Sequence, residues 1–219
     1  MMCGRFCLFS SSKELSNDLG IHINENIEPS YNVSPGDTVL SVFYNFEKQK
    51  RAFGFFKWGL QTPQNFHINA RIESIDSAPR FRDAWTTHRC LIPSNGFFEW
   101  YKDGLTKQPY YIYAQDQKPL YFGALYYPIS NNEHQIVIIT TEAIASIDRI
   151  HERMPLVIPK EFHAQWLRND GKKEALLQAQ KSLALTAHTV SNRINRTNEN
   201  GADLIGKQDP INEGQLRLF

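Results

Sequence analysis

The chain is poor in cysteine: Cys3, Cys7 and Cys90 are the only three in 219 residues. That count excludes a disulfide-stapled secreted scaffold, and an odd number leaves at least one free thiol, so a reducing cytoplasm is the expected compartment. An excess of either charge is also missing, since 24 Lys and Arg stand against 23 Asp and Glu for a formal +1. A polycation gripping nucleic acid through bulk charge is therefore excluded, while a localised basic groove is not. No apolar run reaches the ~18 residues that a bilayer span needs. The start, MMCGRFCLFSSSKEL, turns polar without a small-residue cleavage signal and does not read as a secretory leader, so the N-terminus is expected to belong to the folded protein. Neither GxxxxGKS/T nor GxGxxG occurs, which leaves nucleotide hydrolysis and dinucleotide redox chemistry without support. Cys3, Cys7, Cys90, His88 and His163 are candidate soft donors, but no CxxC or HExxH spacing frames them, so no metal and no other cofactor is expected. Repeats and low-complexity linkers are absent.

What is present suits one packed domain, because 41% hydrophobic residues over this length can bury a core. Ser11 to Glu14 forms a capping-box pattern and Gly20 closes the segment, predicting a short helix. VLSVFYNFE from Val39 and AFGFFKWG from Ala52 read as a hairpin around a polar turn. Ser77 to Arg89 reads as a helix with Pro79 in its first turn, followed by CLIPSNGFFEWYKDG, a strand bent at Pro93 and Gly96. PYYIYAQDQKPLYFGALYY reads as a second hairpin around AQDQKP, and QIVIITTEA as a buried strand. AIASIDRIHERMP reads as a short helix stopped before Pro155, and two helices (KEFHAQWLRND and KKEALLQAQKSL) precede a last strand, LALTAHTV. Hairpins interspersed with helices, without regular βαβ alternation, predict an α+β domain on antiparallel sheet.

Chemistry gathers at a few residues. Should Met1 and Met2 leave, Cys3 would carry an α-amine and a thiol on adjacent carbons, titrating near ~8 and ~8.5. Such an aminothiol captures an aldehyde twice, as an imine and then as a thiazolidine. Initiator-methionine removal needs a small second residue, so it trims a Met-Cys start and leaves a Met-Met start alone. Without that chemistry Cys3 is a small buried hydrophobe. Glu99 in GFFEW is either a buried carboxyl of raised pKa, suited to proton transfer, or a strand-end glutamate facing water. His151 in RIHERMP is an acid or base, or a structural histidine. Asn69 in HINARIES suits an inward amide that orients a partner.

Five ordered motifs, CGRF at Cys3, YNVSPG at Tyr31, INAR at Ile68, CLIPSNGFFEW at Cys90 and IHERMPLVI at Ile150, together resemble the SRAP (SOS response-associated peptidase) family. HTVSNRIN and GADLI extend the likeness to about residue 206. The expected architecture is α+β: a single domain over residues 1–206, with a mainly antiparallel, barrel-like sheet and flanking helices, then a polar tail over 207–219. The resemblance implies a sensor that crosslinks to abasic sites in single-stranded DNA during the DNA damage response, acting as a monomer in the cytoplasm or on the nucleoid. It implies Cys3 as nucleophile, Asn69 positioning the amine, Glu99 transferring protons and His151 protonating the sugar oxygen. Arg5, Arg71 and Arg153 fall inside the motifs and are expected to hold phosphates. A thiol-dependent peptidase, acting on its own leader or on other proteins, and a non-covalent binder of DNA or modified bases are the competing readings. After Leu60 the chain departs from the family pattern: QTPQNFHINAR has no tryptophan, which removes an expected stacking aromatic.

Overall fold

The computed structural model describes residues 3–104, 106–130, 133–170 and 172–210, omitting the side chain of Asp103; Met1, Met2 and the expected tail from 211 onward lie outside them. In chain order the strands are β1 (Arg5–Leu8), β2 (Ser30–Val33), β3 (Thr38–Asn45), β4 (Lys50–Trp58), β5 (Leu60–Gln61), β6 (Phe66–His67) and β7 (Asn69–Arg71). They continue with β8 (Arg89–Ser94), β9 (Gly96–Asp103), β10 (Thr106–Ala114), β11 (Leu120–Ser130), β12 (Glu133–Glu142), β13 (Arg153–Pro155) and β14 (Leu185–Thr189). Four helices, α1 (Ser12–Leu19), α2 (Pro79–Thr87), α3 (His163–Leu167) and α4 (Lys173–Gln180), lie between them.

Five of these strands close a barrel. The order β11-β8-β3-β4-β12 returns to its start because β12 also pairs β11, and β13 and β7 add onto β12. Pairing is antiparallel except where β12 runs parallel to β4 and β7. An antiparallel five-stranded sheet, β14-β10-β9-β1-β2, lies beside it. The α+β, barrel-like, mainly antiparallel architecture thus agrees with the sequence reading. Period-2 alternation explains why the barrel strands read as continuous apolar runs: along β12, Ile136 and Ile138 enter one buried cluster while Val137 and Ile139 enter the other, on the helix side. Burying each of these side chains stabilises the fold by about 1.5–3 kcal/mol. No helix among the described residues is long and apolar enough to cross a membrane.

The capping box forms as predicted, Ser11 and Glu14 each satisfying the other's backbone N–H, and the whole of β3 pairs with Lys50 to Lys57 of β4. Three local expectations are corrected. PYYIY and LYFGALYY do not form a hairpin: β10 pairs β9 and β14, whereas β11 pairs β8 and β12. Each strand is apolar on both faces, and long-range partners outcompete the six-residue turn. The helix expected over 143–154 is a run of turns over 145–150, because Arg153 is drawn into β13 against Glu142. CLIPSNGFFEW is two strands in two sheets, the chain crossing from barrel to outer sheet at Asn95. At the start of the expected tail, the Gln208 N–H donates to the Thr189 carbonyl at 2.9 Å, tying it to β14.

The crossing demands a glycine. A Cβ on Gly96 would sit 2.6 Å from the Ile112 carbonyl oxygen of the neighbouring strand and 2.5 Å from the Tyr111 ring. Gly96→Ala is therefore expected to lower stability by about 1–3 kcal/mol, read as a lower urea midpoint at unchanged slope.

Candidate active site

The register of β1 against β9 builds the centre of the site. Arg5 lies opposite Phe98 and Phe6 opposite Phe97, so Cys3, two residues upstream, runs alongside Glu99 and Trp100. The Cys3 backbone nitrogen donates to Glu99 Oε1 at 2.7 Å. Glu99 alternates with Phe98 along β9 and follows Phe97, whose ring is in the barrel-side core, so its carboxyl is carried inward to 1% exposure. Burial pushes its pKa up to about 8, offset only in part by the Cys3 N–H.

His151 arrives from the other side, at the end of the turns that lead into β13. Its Nε2 lies 3.9 Å from Glu99 Oε2. Burial lowers its pKa, partly opposed by the hydrogen bond that a protonated ring donates to the Arg153 carbonyl, so at neutral pH the imidazole is neutral, as is most of Glu99, and the two form a polar contact rather than an ion pair. Cys3 is fully buried, and burial, followed by the Glu99 charge, raises its thiol pKa. Cys7 is a structural thiol, within 3.4 Å of the Gly96 carbonyl and pushed up to about 12 by burial.

The structure brings Cys3, Glu99 and His151 together, and places the other predicted residues around them with differing engagements. Asn69, half-buried on β7, donates through Nδ2 to the Ile138 carbonyl at 3.4 Å and has no hydrogen bond to Cys3, Glu99 or His151. Arg5 reaches the mouth of the site but binds Asn32 Oδ1 at 2.6 Å and the Ile194 and Asn195 carbonyls at 2.8 and 3.2 Å. Arg71 is exposed and its side chain makes no hydrogen bond or ion pair among the described residues; with Arg149, Glu142, Asp148, Glu152 and Arg153 it lines a cleft of about 640 Å³. Arg153 is buried and forks onto Glu73 at 2.7 and 2.9 Å. A phosphate could engage its guanidinium only by competing with that pair.

A cleft of about 230 Å³ opens over Glu99 and His151, walled by Gly4, Arg5, Trp100, Lys102, Lys107 and Asn195. Sequence reasoning missed Lys102 and Lys107, which stand opposite each other in the β9–β10 ladder; taking β10 as the partner of β11 hid that juxtaposition. Lys107 Nζ sits 4.9 Å from the Trp100 ring centre, and the Trp100 indole donates to Asn195 Oδ1 at 3.0 Å. A larger cleft, about 640 Å³ between Gly20, Tyr44, Arg51 and Arg168, lies by the far tip of the β3–β4 hairpin and holds none of the predicted site residues. In the segment without tryptophan, Phe66 is 47% exposed. It packs on Gly59, whose φ of 122° and the 2.0 Å separation of a Cβ from the Phe66 ring admit only glycine. Among the described residues no group of three His, Cys, Asp or Glu side chains converges as a metal site would require.

Comparison with known proteins gives a consistent picture. A family model described as SOS response associated peptidase (SRAP) matches residues 2–197. The chain is 30% identical to the abasic site processing protein YoqW of Bacillus subtilis, covering 93% of this chain and 99% of the relative. It is 29% identical to the abasic site processing protein YedK of Escherichia coli, with the same two coverages. Among solved structures, a protein from Bacteroides thetaiotaomicron superposes with a TM-score of 0.79 at 20% identity, over 94% of this chain and all of that one. A phage-related protein from Bordetella bronchiseptica superposes with a TM-score of 0.70 at 25% identity, over 87% and 95%.

Proposed function

Because the chain belongs to the SOS response associated peptidase (SRAP) family, and its relatives are named for abasic site processing, we propose that it captures abasic sites in single-stranded DNA covalently. The reagent is Cys3 with a free α-amine, exposed by methionine removal from a chain that starts at Met2 or by self-removal of the two-residue leader. The observation that carries this reading is the 2.7 Å contact between the Cys3 nitrogen and Glu99. That atom is an amide in the full chain and the α-amine in the trimmed one.

An α-amine titrates near ~8, and burial has moved Glu99 to about 8 as well. Both groups therefore titrate close to neutral pH, where a general acid–base catalyst is most effective. The neutral amine bonds to C1′ of the ring-opened sugar and the aldehyde oxygen becomes a hydroxyl. Glu99 donates the proton with which that hydroxyl leaves as water, giving an imine. The Cys3 sulfur then adds to the imine carbon, its proton passing to nitrogen, and the thiazolidine closes. One water is lost overall and nothing is oxidised or reduced.

Abasic sugars rest mostly as closed hemiacetals, so a donor to the ring oxygen raises the reactive aldehyde. His151 fills that role as a neutral Nε2–H donor facing Glu99. For Asn69 to orient the amine, its side chain has to turn from the long 3.4 Å bond to the Ile138 carbonyl. Arg5 and Arg71, together with Lys102 and Lys107, supply the positive rim for the flanking phosphates. Protein trimmed to Cys3 and mixed with an abasic single-stranded oligonucleotide should form an adduct that survives denaturing electrophoresis; no adduct under those conditions would end the proposal.

The rim makes a separate prediction. Replacing Lys102 and Lys107 together by glutamate should weaken binding to undamaged single strands and flatten the slope of log K against log salt by about 1.4 if each contacts one phosphate. Titrations at several salt concentrations read both.

A further inference from the structure

The short strand β13, added onto barrel strand β12, carries His151 just ahead of it. Ala143 N donates to Glu152 O at 2.9 Å and Leu156 N to Ile139 O at 2.8 Å. Antiparallel ladders alternate, so Arg153, opposite Glu142, falls at a position whose backbone N–H and C=O turn away from β12. Both turn to His151: Arg153 N donates to Nδ1 at 3.1 Å, and the Arg153 carbonyl lies 3.2 Å from the same atom. A neutral ring accepts the N–H at Nδ1 and so carries its proton on Nε2, the nitrogen 3.9 Å from Glu99 Oε2. A protonated ring donates from Nδ1 to the carbonyl. One residue's peptide groups thus cradle the imidazole in either charge state.

With no ladder bonds of its own, Arg153 is secured through its side chain. The guanidinium forks onto both oxygens of Glu73 at 2.7 and 2.9 Å and donates to the Thr140 carbonyl at 2.8 Å. Its Nε is buried without a partner, so the fork and the Thr140 bond are what hold the group. Glu73 sits in the 3-10 turn Ile72–Ser74 that follows β7. Burial, the largest single influence, would raise its pKa, yet the Arg153 fork, a backbone hydrogen bond and the Arg71 charge together outweigh it and keep Glu73 low and ionised. From α4, Lys173 Nζ fixes the same turn by donating to the Glu73 carbonyl at 3.1 Å and to Asp76 at 3.0 Å.

We propose that Glu73 is a positioning residue of the site, which, by clamping Arg153, holds the His151 ring with Nε2 turned toward Glu99. This rests on the reading that His151 acts in abasic-site capture. The test measures adduct formation at saturating abasic oligonucleotide for Glu73→Gln and Glu73→Asp, each with and without His151→Ala, beside the ring nitrogen shifts of His151 by NMR.

With His151 present, Glu73→Gln should slow the reaction about tenfold through misplacement of the ring, with affinity for undamaged DNA unchanged. Glu73→Asp, which keeps the charge, should recover most of the rate and serves as the folded reference. In the His151→Ala background Glu73→Gln should cause no further loss. Equal losses in both backgrounds, or His151 shifts unmoved by Glu73→Gln, would overturn the positioning role. Moved shifts alongside a normal rate in His151→Ala would instead uphold the clamp and remove His151 from the chemistry.

Discussion

Cys3→Ala is expected to form no denaturation-stable adduct with an abasic oligonucleotide, a loss down to the assay background. Alanine retains the α-amine after trimming, so an imine can still form, but no thiol closes the ring and the imine hydrolyses. Borohydride should therefore trap a species with Cys3→Ala that disappears when the amine is blocked, and protein that keeps Met2 should fail in the same way as a blocked amine. Affinity for undamaged single strands should be unaffected, because Cys3 is fully buried and the charged rim is untouched. A thiol peptidase would lose activity on the same substitution, but the thiol here is raised by burial and no imidazole hydrogen-bonds it among the described residues, which suits addition to an activated imine better than attack by a standing thiolate. Undiminished adduct from Cys3→Ala would place the nucleophile elsewhere.

Glu99→Gln should separate function from stability in opposite directions. The amide can accept the Cys3 hydrogen bond but carries no proton to exchange, so adduct formation should fall about 10²–10⁴-fold. The fold should become more stable at neutral pH. Glu99 holds its proton up to about pH 8 in the folded state, against 4.5 for an ordinary glutamate. Between those values the folded state binds more protons than the unfolded one, so wild-type stability falls as pH rises through the window and levels off above it. At pH 7 the lost contribution is about 3 kcal/mol, which Glu99→Gln removes from the balance. Urea titrations at pH 5, 7 and 9 should show the wild type losing stability across that range relative to a flatter Glu99→Gln. Parallel curves would mean that Glu99 is not held protonated.

The elements legible in the sequence were those specified by neighbours. Ser11 and Glu14 cap α1 three residues apart, and the polar turn after Asn45 joins two strands that pair in register. Partner choice between distant strands was not legible, since β10 and β11 are each apolar on both faces and carry no local mark of which sheet they enter. The same blindness reached the site. Cys3, Glu99 and His151 stood out through motif resemblance, and the structure supplies their meeting point. Lys102 and Lys107 became neighbours only once β9 was paired with β10. Arg153 read as a phosphate ligand because its motif was visible and its partner was not: Glu73 lies 80 residues earlier in the chain.

Tandem mass spectrometry of the adduct formed by the native protein with an abasic oligonucleotide addresses the central claim most directly. Covalent capture by the Cys3 aminothiol predicts a product lighter by one water than the two components, resistant to borohydride, with the link mapped to a peptide beginning at Cys3. A link on a lysine, or protein whose first residue is Cys3 and which acquires no DNA, would contradict it.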